Sequence, residues 1–230
     1  MNILDYTYEN FANGECKLLD AHCHMKTSDS FKLICFGLLP SGYLVDKDFA
    51  SEDVQIGLGY HPWAAKTADE NEILFFEKYA SDAQFIGEIG LDFSEKHIGT
   101  KEKQLEIFVA ICKILGNTKD KVVSIHSVHA SAEVLEILKS TGADKDNTII
   151  MHWFSGTSEE LKTSLDRGYY FSVGPKMLVT RKGHEYIRQI PENKMFIETD
   201  LPWDGEEFTP EEHFNLLNDF AMQLRELKSY

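Results

Sequence analysis

The chain is short of positive charge. Lysine and arginine together number 23 against 38 aspartates and glutamates, a formal net charge of −15, which excludes a protein that holds nucleic acid through a broad basic face. Any anionic substrate therefore needs a local positive site. Cysteine is scarce too: Cys16, Cys23, Cys35 and Cys112 form no CxxC pair and no regular spacing, which excludes a zinc knuckle or a disulfide framework and leaves reduced thiols. No stretch reaches the ~18 apolar residues of a spanning helix. The opening MNILDYTYENFANGE carries acidic residues and lacks the apolar segment of a secretion signal. The expectation is a soluble, cytoplasmic chain. Low-complexity linkers and tight internal repeats are missing as well, so residues 1–230 are expected to form one domain.

What is present is ordinary globular material, 43% hydrophobic and 27% charged, enough for a sizeable core. Short apolar runs recur with amphipathic stretches between them. The strand candidates are KLLDAH around Leu18, FKLICFGL around Ile34, VQIGLGYH around Ile56, QFIGEIGL around Ile86, VVSIH around Val123, TIIMHWF around Ile150, YYFSVG around Phe171 and MFIETD around Ile197. Helical patterning fills several intervals: NEILFFEKYA, KEKQLEIFVAICKIL, SAEVLEILKSTG with its Gly142 stop, SEELKTSLDRG with Gly168, and KGHEYIRQI. Eight β units alternating with helices predict an α/β fold, a (β/α)8 TIM barrel. The stretch from His24 to Phe31 is too short for a full helix at ~1.5 Å per residue, so the first βα unit should be shortened.

A doubly wound open sheet alternates in the same way; the placement of polar residues separates the two. His22, Glu88, His126, His152 and Asp200 each sit at or just past the C-terminal end of a different strand candidate. In a barrel those ends converge on one mouth, whereas in an open sheet they string along an edge. In DAHCH, the strand period of two puts Asp20, His22 and His24 on one face, so that two imidazoles can grip one cation. Glu88 in GEIGLD is an acid inside an apolar strand, expensive to bury unless it is paired or bound to a metal. His126 and His152 both end apolar runs, where a single histidine would read as a satisfied core residue. Asp200 ends MFIETD before Leu201-Pro202, a place that a loop-capping aspartate also takes. Four histidines and two carboxylates suit a pair of divalent cations. Imidazole with carboxylate fits zinc, manganese or iron better than calcium or magnesium, although substrate phosphate oxygens can bring magnesium in.

DAHCH, GYHPW, GEIGLD, SIHS, HWFSG and ETDLPW, in that order and at those strand ends, resemble the TatD family of metal-dependent deoxyribonucleases among the amidohydrolase-like barrels, from about Leu18 to Trp203. The resemblance implies a TIM barrel, phosphodiester hydrolysis that is often exonucleolytic, and His22, His24, Glu88, His126, His152 and Asp200 as metal ligands. It implies that Glu88 bridges two divalent ions, whose charge lowers the pKa of a bound water towards about 7, and that Asp200 accepts that water's proton. No cofactor beyond metal is implied. His61 in GYHPW looks like the family's histidine beside the scissile phosphate; the alternative is a hydrogen-bonding support for a ligand. Trp63, Trp153 and Phe154 fall in loops at the mouth, to stack on unpaired bases or to pack those loops. Asp20 and Asp92 read as supports or caps, and His97, His129, His184 and His213 as surface or helix residues.

Departures from the family bear on substrate. Where the family commonly has serine-arginine-aspartate after the fifth-strand histidine, this chain has Ser127-Val128-His129, so an arginine able to meet phosphate is missing. The second βα connection, PSGYLVDKDFASED, is short and acidic. Lys176, Arg181 and Lys182 after the seventh strand are the local phosphate-binding candidates. HWFSG followed by FSVGPKML is most similar to a shorter branch of the family found with anti-phage defence operons of the Qat type, which implies partner proteins from such an operon. Three functions stand. The first is a nuclease acting as a monomer on DNA, single-stranded or at its ends, away from membranes. The second is a metal-dependent hydrolase of a small ester or amide such as a D-aminoacyl group, favoured by the acidic charge. The third is a noncatalytic binding subunit of a defence assembly, against which the intact ligand set argues.

Overall fold

The apolar runs become strands buried on both faces, as a parallel sheet wrapped by helices requires. In the computed structural model, which describes residues 1–28, 30–67, 69–202 and 207–229, these are β1 (Leu19–Cys23), β2 (Lys32–Phe36), β3 (Val54–Tyr60), β4 (Phe85–Asp92), β5 (Val122–Val128), β6 (Thr148–His152), β7 (Tyr170–Val173) and β8 (Met195–Ile197). All pair in parallel and in sequence order. The ring closes through main-chain contacts between β1 and the segment after β8: Asp200 N donates to His22 O at 2.9 Å and His24 N to Leu201 O at 2.8 Å. The fold is the expected (β/α)8 TIM barrel.

Helices α1 (Tyr8–Ala12), α2 (Tyr43–Asp46), α3 (Glu70–Ala80), α4 (Lys101–Leu115), α5 (Ser131–Thr141), α6 (Ser158–Asp166), α7 (Arg181–Gln189) and α8 (Pro210–Lys228) accompany the strands. Among the described residues no helix lies between β1 and β2, and the β2–β3 connection holds the four-residue α2 flanked by 3-10 turns, so two walls of the mouth are low. On α4 the buried Ile107, Phe108, Ile111, Cys112 and Leu115 recur at helical spacing; the larger of these side chains each contribute about 1.5–3 kcal/mol by burial against the strands. Gly142 ends α5 at φ 72°, the left-handed stop expected there. Inside the barrel a separate apolar cluster of Leu19, Ile34, Phe36, Phe85, Val122, Ile150 and Phe196 is sealed by Ile3 from the N-terminal segment. The polar mouth therefore stands on a filled barrel. No helix among the described residues is long and apolar enough to cross a membrane.

Helix α8 was not among the expected helices, although it runs for 19 residues. Its start signal is present: Thr209 and Glu212 form a reciprocal capping box with Pro210 in the first turn. The strand candidate MFIETD is shorter than expected, because β8 ends at Ile197 and Glu198-Thr199-Asp200 turn in to meet β1. Trp203, the last residue of the ETDLPW motif, lies outside the described residues.

Candidate metal centre

Glu88 is 1% exposed and is the fourth of the eight residues of β4, so it lies inside the strand and not, as expected, at its C-terminal end, because the strand runs on through Ile89–Asp92. The glycines on either side of GEIG have local reasons. Gly87 and Gly90 have φ of 143° and 145°, which L side chains rarely adopt, and a Cβ at Gly90 would lie 2.0 Å from His126 O. The pairing of β4 with β5 shifts register between Ile86 and Ile89, so the irregularity falls at the residue whose carboxylate enters the mouth.

Around that carboxylate the barrel gathers imidazoles from several strand ends. Glu88 Oε2 lies 3.2 Å from His22 Nε2 and 3.3 Å from His61 Nε2, while Oε1 is paired with His126 Nδ1 and lies 3.7 Å from His152 Nε2. Asp200, at φ 58°, places Oδ1 3.4 Å from His24 Nε2, 3.8 Å from His22 Nε2 and 3.7 Å from His152 Nε2. His22, His24, Glu88, His126, His152 and Asp200 thus meet in one cluster, and His61 joins them.

The outer nitrogen of each ring is held. His22 Nδ1 is 2.8 Å from Ser124 Oγ, His24 Nδ1 donates to Phe36 O at 2.7 Å, and His152 Nδ1 is 2.7 Å from Glu198 Oε2. His61 Nδ1 accepts from Trp63 N at 3.1 Å. His126 is held from Asp92, whose Oδ2 lies 3.2 Å from Nε2 and also accepts from Trp63 Nε1 at 2.7 Å. Fixing one ring nitrogen aims the other, which is how metal-binding histidines are oriented.

Burial opposes charge throughout, and neighbours override it at every group of the cluster but His61 among those that shift. The imidazoles of His61, His126, His22 and His152 hold the buried Glu88 carboxyl well below its usual range, and Asp200 is lowered chiefly by His152 and His24. Conversely, the Glu88 charge and the hydrogen bonds to Asp92 and Glu88 overcome burial to raise His126 to about 9, and Glu198 with Glu88 raises His152 to about 10. For His61 burial wins, and its pKa is lowered.

This donor set fits divalent ions. His22 Nε2 is buried with no hydrogen-bond partner. One ligand atom from each of His22, His24, Glu88 and Asp200 lies within 4.8 Å of the others, as is also true of His61, Glu88 and His126. Mixed imidazole and carboxylate donors are those of zinc, manganese or iron sites.

Over residues 19–229 the chain matches the family described as TatD related DNase. It belongs to the TatD family. It is 29% identical over 134 residues to the putative deoxyribonuclease TATDN3 of Mus musculus, covering 57% of this chain and 44% of that protein. It is 32% identical over 153 residues to the 3'-5' ssDNA/RNA exonuclease TatD of Citrobacter koseri, covering 63% and 56%. The matches thus span about half the length of these curated relatives. The crystal structure of a hydrolase TatD family protein from Entamoeba histolytica shares the fold with a TM-score of 0.73 at 16% identity, over 93% of this chain and 92% of that one.

At the rim of this TatD-family barrel the expected aromatic residues part ways. Trp63 is 49% exposed. Trp153 is half-buried at φ 38°, with Lys176 Nζ 5.3 Å from its ring centroid, and both border a small cleft with Glu198 and Asp200. Phe154 does not line the mouth: it is 2% exposed and packs on Phe171 and Tyr186, because the turn at Trp153 sends the next side chain back into the wall. Arg181 and Lys182 start α7 on the surface, with Lys182 Nζ donating to Ser155 O at 2.7 Å.

Glu198 and Gln104 are supports that the sequence motifs did not single out, whereas Asp20 and Asp92 act as the supports expected of them. Glu198 is fully buried, holds His152 and accepts from Trp153 N at 3.1 Å; like Glu88 it is an acid directly after an apolar run, and that was the available clue. Gln104 on α4 pins Asp92 through both main-chain groups, at 2.7 and 2.9 Å. Asp20 does not share the cluster with His22 and His24, because β1 shifts register between Asp20 and Cys23. Its carboxylate accepts from His22 N and Thr199 N, both at 3.1 Å, and pairs with His213 Nε2 at 2.6 Å. His213 is on a helix as expected, yet 1% exposed, and ties α8 to the closing seam of the barrel.

Proposed function

We propose that the chain is a two-metal phosphodiesterase acting on DNA, single-stranded or at strand ends. The observation that carries this reading is the convergence of His22, His61, His126 and His152 on the buried Glu88 carboxylate, and of His22, His24 and His152 on Asp200 beside it, at the mouth of a TatD-family barrel. His22, His24, Glu88 and Asp200 would hold one ion, and Glu88, His126 and His152 a second, with zinc, manganese, iron or magnesium as candidates. When bound, such ions supply Lewis acidity and lower the pKa of water.

The protein's own groups do the rest. Asp200, with 15% of its side chain exposed against 2% for Glu88, is the carboxylate that solvent reaches, and it takes the proton of the attacking water. Glu88, held charged by its imidazoles, fixes the ring positions. Because Trp63 N–H occupies Nδ1 of His61, the neutral imidazole carries its proton on Nε2, facing the centre as a donor to a phosphate oxygen. Lys176 supplies positive charge beside Asp200. In this reading residues 1–230 act as one cytoplasmic domain and as a monomer, with defence-operon proteins as candidate partners.

A second reading, hydrolysis of a small ester or amide, draws on the net charge of −15 and on Val128 in place of an arginine. End-labelled single-stranded oligonucleotides and an activated ester are incubated with protein and Mn²⁺ or Mg²⁺, with Glu88→Gln beside the wild type. The nuclease reading expects shortening of the oligonucleotide that Glu88→Gln abolishes. Turnover of the ester alone would replace it with the second reading.

A further inference from the structure

An acidic chain that handles DNA needs affinity from a source other than its overall field, since phosphate neutralisation by scattered lysines is unavailable at −15. Base stacking is such a source: it is insensitive to net charge and worth about 1–3 kcal/mol per base. An aromatic face beside the reaction centre is therefore the feature to look for.

Trp63 is that face. Indole side chains are generally well buried, yet this one is 49% exposed while being held at three points. Its Nε1 donates to Asp92 Oδ2 at 2.7 Å, its main-chain N donates to His61 Nδ1 at 3.1 Å, and its ring lies parallel to His97, 4.8 Å between centroids at 9°. The exposed Lys96 holds Nζ over the ring, 5.5 Å from its centroid, on a flexible stem that an incoming base can displace. Burial and Lys96 lower the pKa of His97, so the backing ring is neutral and suited to stacking. The indole is 4.7 Å from the His61 ring and 6.3 Å from the His126 ring. A ring so fixed has already lost the rotamer freedom that a mobile contact would lose on binding.

We propose that Trp63, backed by His97 and flanked by Lys96, is a stacking platform for the nucleobase adjoining the scissile phosphate, and so sets a preference for base-bearing single strands. The proposal rests on the nuclease reading. It assigns to a stacked base the grip that the absent arginine after His126 does not provide, and gives Lys96 a place against the neighbouring phosphate.

The test uses the full chain carrying Asp200→Asn, so that ligand is not consumed, and fluorescent single-stranded trinucleotides that are base-bearing or abasic beside the scissile bond. Fluorescence anisotropy gives Kd for Trp63, Trp63→Phe and Trp63→Ala. With Trp63 the base-bearing ligand should bind about 5- to 150-fold tighter than the abasic one. Trp63→Phe, which keeps a ring and loses the N–H to Asp92, should retain most of that ratio, and Trp63→Ala should bring it close to one. If Trp63→Ala does not fold, Trp63→Leu carries the same expectation, having apolar volume without an aromatic face. Equal weakening of both ligands would mean that Trp63 acts only as a clamp on Asp92, and would overturn the platform. Failure of the unmodified chain to cleave any oligonucleotide with metal overturns the nuclease reading and the platform together. Cleavage with an unchanged ratio overturns the platform alone.

Discussion

Replacing Glu198 by glutamine removes one charge, keeps the volume and leaves an amide able to accept from Trp153 N. Glu198 is fully buried and its Oε2 lies 2.7 Å from His152 Nδ1, and its charge is the largest of those raising His152 to about 10. A carboxylate on the far nitrogen makes an imidazole a better ligand and fixes its plane, and loss of such a partner typically costs 10–100-fold in metal affinity. That is about 1.4–2.8 kcal/mol at ~1.4 kcal/mol per tenfold. Titration of EDTA-stripped wild type and Glu198→Gln with Mn²⁺ against a fluorescent chelator should show weakening in that range. Oligonucleotide cleavage should fall at limiting metal and recover in excess. Unchanged affinity in a variant that still folds would refute the view that His152 is a ligand aimed by Glu198.

Three further outcomes follow from the same geometry. In metal-free protein His126 and His152 are raised to about 9 and 10, so the stability that their protonation contributes is complete below about pH 6.5, the unperturbed value, and is lost as pH rises through the folded values. Thermal denaturation in EDTA should show a falling midpoint between pH 7 and 10 that bound metal suppresses. The same protons must leave when ions load, so calorimetry in buffers of different ionisation enthalpy should register proton release, with affinity falling as pH falls. Gly90→Ala, at φ 145° and with its Cβ 2.0 Å from His126 O, should destabilise by about 2–5 kcal/mol from strain and overpacking, seen as a lower urea midpoint.

The barrel was legible because parallel strands buried on both faces read as apolar runs, and an ionisable residue at the end of such a run marks where a strand leaves the core. His152, the last residue of β6, and His126, near the end of β5, were visible in that way, and Glu88 as an acid inside an apolar strand. Contacts across long sequence separations were not: Glu198 meets His152 and Asp20 meets His213 only once the ring closes. Strand periodicity also failed in β1, where the register shift sends Asp20 away from the histidines. The turn at Trp153 likewise buried Phe154, which position alone put at the mouth. Helix α8 carried both a readable capping box and a helical spacing in Leu217, Phe220, Ala221 and Leu224, so its signal was present in the sequence.

The most direct measurement is Mn²⁺ titration of EDTA-stripped protein with simultaneous readout of bound metal and of end-labelled single-stranded DNA shortening, for wild type and Asp200→Asn. Cleavage should rise with occupancy in the wild type, while Asp200→Asn, which removes the base and one proposed ligand, should need more Mn²⁺ to fill and, once filled, be slower by about 10²–10⁴-fold. Cleavage that persists in EDTA, or that Asp200→Asn leaves at the wild-type rate, would contradict a metal centre in which Asp200 receives the proton of water.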